Sequence, residues 1–114
     1  MLARKNRLIG SKDYKRVETQ GTVYQSQNFG LAHLLRGDEN PSRFGFVVST
    51  KIAKDAVDRN RFRRAMSESV RMSATDLKSG FDAVFLAKPS IVRAPTSDIM
   101  KEVKNALKGS GLMK

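Results

Sequence analysis

A dense cluster of arginines gives this sequence its clearest chemical signal. Arg59, Asn60, Arg61, Arg63 and Arg64 all fall within the segment 59–64. A guanidinium group keeps its charge at physiological pH and presents a fork of donors that fits two phosphate oxygens at once. Like charges this close repel each other. A chain of phosphates would turn that repulsion into binding, so the cluster predicts a nucleic-acid contact.

Side chains that could carry out catalysis are scarce. His33 is the only histidine and cysteine is absent. No acidic cluster shows the spacing of a two-metal site. We interpret His33 as a strand residue, and Asp55 and Asp58 as caps at the start of the arginine-bearing helix. The sequence therefore predicts no catalytic residue and no metal ligand, and it indicates a binding role.

The overall charge supports a polyanionic partner. The chain has 22 lysines and arginines against 11 acidic residues, a net charge of +11. Nucleic acid is favoured over a membrane surface, because no basic amphipathic segment carries large apolar anchors. The start lacks the apolar stretch of a signal peptide, and no run approaches the roughly 18 apolar residues of a membrane span. With no cysteine present, we expect a cytoplasmic protein.

The elements that position the cluster follow from apolar spacing, which predicts a single α+β domain over residues 1–114. Helices are predicted at 11–20, 55–74 and 96–107, with Ser11 as the cap of the first. One interrupted strand is predicted at 22–36, and further strands at 43–49 and 81–86. The turn at 37–42 predicts that the first two strands form a hairpin. Residues 1–10 are predicted to be a basic arm that packs down Leu8 and Ile9, and 109–114 a frayed tail.

The predicted helix at 55–74 is amphipathic. At 100° per residue one face is apolar and comprises Phe62, Ala65, Met66, Ser69 and Val70. The opposite face is polar and comprises Asn60, Arg64, Ser67 and Arg71, flanked by Arg61 and Arg63. Cations in the first turns of a helix oppose its dipole, at a cost of about 0.3–1 kcal/mol each. A basic run alone would fit a solvated surface, but Arg-Asn-Arg in this setting favours phosphate contact.

The Arg-Asn-Arg triplet at a helix start, followed by further arginines, resembles the signature of the bacterial ribonuclease P protein family. The resemblance continues along almost the whole chain. Its other matching residues are Asn6, Arg7 and Leu8 in the arm, Asp13 and Tyr14 in the first helix, Gly21 after it, the strand 43–49, and Ala87, Lys88 and Pro89. For the fold, this resemblance implies a two-layer α/β sandwich similar to the second domain of the fifth protein of the small ribosomal subunit. It also implies that the signature helix forms a left-handed crossover between parallel strands, against the usual handedness.

For function, the resemblance implies the RNA-binding protein subunit of the ribonuclease P holoenzyme. This endoribonuclease removes the 5′ leader of precursor tRNA, and hydrolysis is expected from the catalytic RNA with Mg²⁺ rather than from protein side chains. The implied partners are the catalytic RNA and precursor tRNA, and no cofactor is expected on the protein.

The resemblance also assigns residues to two RNA ligands. The residues expected to contact RNA are Arg59, Asn60, Arg61, Arg63, Arg64, Lys51, Lys54, Arg71 and Arg7. A cleft between the sheet and the first helix is expected to hold the single-stranded leader, with Tyr14, Lys15, Phe29, Phe44 and Phe46. Strand alternation accounts for Phe44 and Phe46 equally well as core residues, and Tyr14 is open to both interpretations.

Several positions depart from the family pattern. Glu18 and Ala32 stand where the family often has aromatic residues, and Ser67 stands where a basic residue is common. The loop 52–57 is one residue longer than usual and has no glycine. These departures predict weaker leader binding than is typical.

Two other function classes compete with this interpretation. A noncatalytic ribosomal or rRNA-assembly protein would share the charge but would need no cleft for a single strand. A protein-only nuclease is disfavoured by the missing acid and base residues.

Overall fold

A computed structural model of the chain describes residues 2–114. Its helices are α1 (Ser11–Gln20), α2 (Ala56–Met72) and α3 (Thr96–Gly109). Its strands are β1 (Thr22–Gln25), β2 (Phe29–Leu35), β3 (Arg43–Val47) and β4 (Phe81–Ala87). Short 3-10 turns lie at Arg4–Asn6, Ala74–Asp76 and Pro89–Arg93. The predicted α+β class and its three helices are confirmed.

The caps of two helices differ from the prediction. Gly10, with a φ of 95°, is the N-cap of α1, and Ser11 is the first helical residue. Asp55 does occupy the N-cap of α2, but its side chain makes no capping hydrogen bond. A left-handed φ suits glycine because it has no Cβ to clash, so backbone freedom rather than a hydroxyl starts α1.

The single interrupted strand predicted at 22–36 is wrong, because the chain turns back within it. β1 and β2 pair antiparallel, with Tyr24 opposite Leu31. The turn between them is fixed by Glu102 of α3, whose carboxylate accepts hydrogen bonds from the Ser26 hydroxyl (2.5 Å) and from the Asn28 backbone (2.8 Å) and side-chain amide (2.6 Å). The partner that fixes this turn lies far along the chain, so local patterning did not reveal it.

The predicted hairpin between the strands at 22–36 and 43–49 is also wrong. The sheet order is β1-β2-β4-β3, so β4 separates β2 from β3. Phe85 of β4 lies opposite Leu31 on its antiparallel side and opposite Phe46 on its parallel side. β4 takes the central place because residues 81–85 are all buried, as a strand covered on both faces requires. The link from β3 through α2 to β4 is a crossover between parallel strands, and its left-handedness stays a prediction of the family resemblance.

Both faces of the sheet are covered. α2 and α3 pack on one face, over a core that includes Phe29, Phe62 and Phe85. The predicted apolar face of α2 is confirmed, since Phe62, Ala65, Met66, Ser69 and Val70 are all buried. α1 adds a smaller apolar cluster on the opposite face, formed by Leu8, Val17, Ala32 and Val84. The sandwich of sheet and helices therefore carries one further helix on its other side.

The arm and the tail are both tied to the fold within residues 2–114. In the arm, Leu8 is buried as predicted, whereas Ile9 is 64% exposed. The Leu8 backbone donates to Phe44 O (2.9 Å), which lays the arm along the free edge of β3. The tail differs from the predicted frayed end, because Leu112 is buried and the Lys114 backbone donates to Asp76 O (2.8 Å). Leu112 is the apolar contact that holds the tail down.

Candidate nucleic-acid interface

A cavity of about 520 Å³ opens where α1, the edge strand β3, α2 and the arm meet. Its lining residues are Leu2, Arg7, Leu8, Tyr14, Phe44, Phe46, Asn60, Arg63, Arg64 and Ser67. We call it the Tyr14 cavity. It combines aromatic rings with three arginines and has no carboxylate in its lining, a composition that suits a ligand with both bases and phosphates.

Tyr14 is held in this cavity by the backbone of β3. Its ring lies so close to Gly45 that a Cβ at that position would overlap it. Burial raises the pKa of Tyr14, and this outweighs the hydrogen bond from the Phe46 backbone and the nearby charge of Arg63, which both lower it. The hydroxyl therefore stays protonated at neutral pH, and the ring is a fixed, half-buried aromatic surface.

Phe44 and Phe46 line the cavity and also belong to the core. Phe44 is buried edge-on against Phe81, with ring centroids 5.5 Å apart. Phe46 is half-buried and stacks on Phe85, with centroids 5.3 Å apart and ring planes 10° apart. The core interpretation of both residues is confirmed, and both also border the cavity, because an edge strand can present the same side chains to the core and to a groove beside it. Contact with the leader stays a prediction.

Two residues predicted to form the leader cleft do not border this cavity. Phe29 is completely buried and packs edge-on against Phe85 at 5.3 Å. Phe29 does not reach the Tyr14 cavity because β4 separates its strand, β2, from β3. Lys15 is exposed on α1 but is not a lining residue.

Glu18 and Ala32, which stand where the family often has aromatic residues, also lie outside the lining of the Tyr14 cavity. Ala32 is buried under α1, in the same apolar cluster as Val17, and Glu18 is exposed outside the cavity lining. Neither substitution therefore removes a ring from the Tyr14 cavity. Ser67, by contrast, does line it, so the basic residue common at that position is absent from the cavity wall.

On the cavity side of α2, Arg63 is held between two neutral oxygens. Its guanidinium donates to Asn60 Oδ1 (3.0 Å) and to the backbone oxygen of Val48 (3.3 Å). Arg64 and the arm residue Arg7 are exposed in the same lining. Because both acceptors are neutral oxygens, the charge of Arg63 remains available to a ligand.

On the outer side of α2, Arg61 is exposed, and its guanidinium carbon lies 4.5 Å from the centre of the Phe62 ring. This cation–π contact steadies the side chain without neutralising it. Lys51 and Lys54 are exposed in the loop just before the helix. Arg61 therefore stands with two lysines near the start of α2.

Two residues predicted to contact RNA have other partners. Arg59 donates from one nitrogen to the backbone oxygens of Ala53 (2.9 Å) and Lys54 (2.6 Å), and so ties down the loop before α2. Arg71 pairs with Glu68, and this arginine is the main cause that lowers the pKa of Glu68 to about 2. Both guanidinium groups therefore have partners within the protein, and an RNA contact at Arg59 or Arg71 stays a prediction.

The structure contains a second arginine cluster, which the sequence did not predict. The completely buried carboxylate of Asp82 accepts from Arg36 (2.5 Å), Arg16 (2.8 Å) and Arg43 (2.9 and 2.8 Å). Burial alone would raise the pKa of Asp82, but hydrogen bonds and charge from Arg43 and Arg36 hold it below the ordinary value of 3.8. The available signal was an aspartate within an apolar strand, since a buried charge requires partners. We call this group the Asp82 cluster.

Catalytic chemistry has little support among the described side chains. Residues 2–114 contain no group of three or more histidine, cysteine or acidic residues placed to hold a metal ion. His33 lies half-buried on β2, and burial lowers its pKa. What the geometry does provide is a surface for binding.

Comparison with known proteins identifies relatives of the whole chain. The sequence model of the family described as Ribonuclease P matches residues 2–110. The ribonuclease P protein component of Clostridioides difficile is 35% identical over 90% of this chain and 92% of its own, and that of Clostridium botulinum is 32% identical over 96% and 97%. The solved ribonuclease P protein of Staphylococcus aureus superposes with a TM-score of 0.88 at 21% identity, over 96% of this chain and 98% of that one. The protein from Thermotoga maritima gives a TM-score of 0.79 at 25% identity, over 90% and 96%.

Proposed function

The chain belongs to the ribonuclease P protein family, and from this premise we propose that it binds two RNA ligands on two sides of α2. It is a protein component of an endoribonuclease of tRNA processing, and an RNA is its partner. Our proposal adds that the Tyr14 cavity holds the single-stranded 5′ leader of precursor tRNA. The outer face of α2 binds the catalytic RNA.

The observation that carries the proposal is the composition of the Tyr14 cavity. One fixed tyrosine ring faces a space bordered by Arg7, Arg63 and Arg64, with no acidic residue in the lining. An unpaired base that stacks on an aromatic ring gains about 1–3 kcal/mol whatever its identity, while cations follow the phosphates. Such a site grips single strands of many sequences, as removal of different leaders requires.

The outer side of α2 suits a second, larger RNA. Arg61 is exposed there, and Lys51 and Lys54 stand just before the first turn. The N-terminus of a helix also attracts anions through its free backbone donors. Phosphate contacts of this kind fix the position of a helix on an RNA without reading its sequence.

Hydrolysis itself is assigned to the RNA partner. Residues 2–114 contain no group of three or more acidic or histidine side chains placed to hold a metal ion. We therefore propose that Mg²⁺ would be held by the catalytic RNA, where it would supply an activated water. The chain contributes alignment of the substrate and neutralisation of phosphate repulsion.

No helix among residues 2–114 is long and apolar enough to cross a membrane. We propose the cytoplasm as the site of action. The competing interpretation is a ribosomal or rRNA-assembly protein. The match of the ribonuclease P family model to residues 2–110 counts against it, and no specific observation favours it.

Reconstitution with the cognate catalytic RNA tests the proposal. For Tyr14→Ala, we expect the affinity for precursor tRNA with a leader to fall by about 5- to 150-fold, the equivalent of one lost stacking contact. The affinity for mature tRNA should be unchanged. Tyr14→Phe is the matched control, because it keeps the ring and should keep most of the affinity.

Two results would contradict the proposal. Equal losses for precursor and mature tRNA would show that Tyr14 serves only the core. A holoenzyme whose cleavage at low Mg²⁺ is the same with and without the protein would remove the assignment to substrate binding. Cleavage by the protein alone would instead support the protein-only nuclease.

A further inference from the structure

Asn60 makes its hydrogen bond to another protein residue, although the Arg-Asn-Arg triplet predicts an RNA contact for it. Its side-chain oxygen accepts from Arg63, three residues further along α2, at 3.0 Å. The other terminal nitrogen of Arg63 donates to Val48 O, just beyond the end of β3, at 3.3 Å. The guanidinium is thus held on two sides by neutral acceptors, one on its own helix and one in the segment that follows β3.

This restraint fixes Arg63 where the cavity needs a cation. Arg63 and Asn60 both line the Tyr14 cavity, and the charge of Arg63 acts on the Tyr14 hydroxyl. An arginine side chain has many rotamers, and ordering it when a ligand binds costs free energy. If the rotamer is already ordered in the free protein, the ligand does not bear that cost.

We propose that Asn60 is a positioning residue for the leader, acting through Arg63, and that it is not a contact to the catalytic RNA. The inference rests on the proposed function of the Tyr14 cavity. It gives the residues of the signature triplet different tasks. Asn60 orients Arg63, whereas Arg59, which also ties down the loop before the helix, and Arg61 keep their charge for the catalytic RNA.

A double-mutant cycle in the reconstituted holoenzyme tests this role. Asn60→Ala should weaken binding of leader-containing precursor tRNA by about 3- to 10-fold, the loss expected when one rotamer-rich side chain must be ordered on binding. Arg63→Ala should weaken it at least as much, and the double variant should be no weaker than Arg63→Ala alone. Affinities for mature tRNA and for the catalytic RNA should not change with Asn60→Ala.

Salt dependence adds a readout that loss of folding would not produce. Because Arg63 can still reach the phosphate in Asn60→Ala, this variant should keep the salt slope of leader binding. Arg63→Ala should lower the slope by about 0.7, the value for one phosphate contact on a single strand. Asn105→Ala, which removes an exposed asparagine from α3, is the matched control and should behave like the unmodified protein.

The results distinguish a failure of the positioning role of Asn60 from a failure of the proposed leader cavity. If the two substitutions are additive, or if Asn60→Ala weakens binding of the catalytic RNA, Asn60 does not act through Arg63. If Tyr14→Ala weakens leader binding but Arg63→Ala does not, the positioning role is overturned while the leader cavity stands. If neither Tyr14→Ala nor Arg63→Ala affects leader binding, both the cavity assignment and the positioning role fail.

Discussion

Two regions of this molecule are rich in arginine, yet their arginines have different partners. In the Asp82 cluster, Arg16, Arg36 and Arg43 converge on one buried carboxylate. On α2, Arg63 bonds only to neutral oxygens, and Arg61 contacts an aromatic ring. Arginines that meet a carboxylate hold the fold together, whereas those that meet neutral groups keep their charge for a ligand.

The difference lies in where the opposite charge comes from. The aspartate of β4 supplies it within the protein, because a charge buried in a strand must be paired. On α2 the described residues supply no such partner to Arg61, Arg63 or Arg64, and we propose that RNA phosphates supply it. Substitutions can therefore separate stability from RNA binding.

The largest effect is expected at Asp82. Asp82→Ala leaves three arginines without their shared partner, and loss of one member of a buried ion pair costs about 3–5 kcal/mol. We expect this decrease in the free energy of unfolding, measured in urea, while RNA affinity of the folded fraction stays unchanged. Asp98→Ala, at an exposed aspartate in the first turn of α3, should change stability by less than about 1 kcal/mol.

If Asp82→Ala were as stable as the unmodified protein, the distinction between the two arginine clusters would lose its energetic basis. A selective loss of RNA affinity in that variant would place the Asp82 cluster in the interface.

The opposite pattern is expected on α2. Arg61→Ala combined with Arg64→Ala should lower the slope of log affinity against log salt by about 0.7–0.9 for each phosphate contact removed. Unfolding should change little, because only the cation–π contact of Arg61 is lost, worth about 0.5–1 kcal/mol at an exposed site. Arg36→Ala, the counterpart in the Asp82 cluster, should lower stability and leave the salt slope unchanged.

An unchanged salt slope in the double variant would mean that Arg61 and Arg64 are ordinary solvated surface residues. Arg63 would then be the one of these three α2 arginines left to bind RNA.

The smallest expected effect is the loss of stability at acidic pH. The pKa of Asp82 is lowered in the fold, so its contribution to stability is complete above the unfolded value of about 3.9 and is lost as the pH falls through the lower, folded value. The difference in unfolding free energy between the protein and Asp82→Asn should stay constant from pH 7 to about pH 4 and shrink below that. A difference that shrinks near neutral pH would point to another titrating group.

The sequence by itself determined the features that depend on neighbouring residues. The buried face of α2 and the opposite placement of Arg64 follow from helical spacing, which acts over a few residues. The role of Tyr14 as one wall of a site came from its match to a family motif. Both could be assigned without knowing where any other element lies.

Only the tertiary structure decided which distant residues meet. It placed β4 between β2 and β3, which buried Phe29 and opened the Tyr14 cavity at the edge of β3. It also brought Asp82 to three arginines and Arg63 to Val48, and so separated the arginines that share a buried carboxylate from those that bond neutral oxygens. These pairings depend on strand order and helix docking, which arise from the burial of the whole chain and leave no periodic signal in the local sequence.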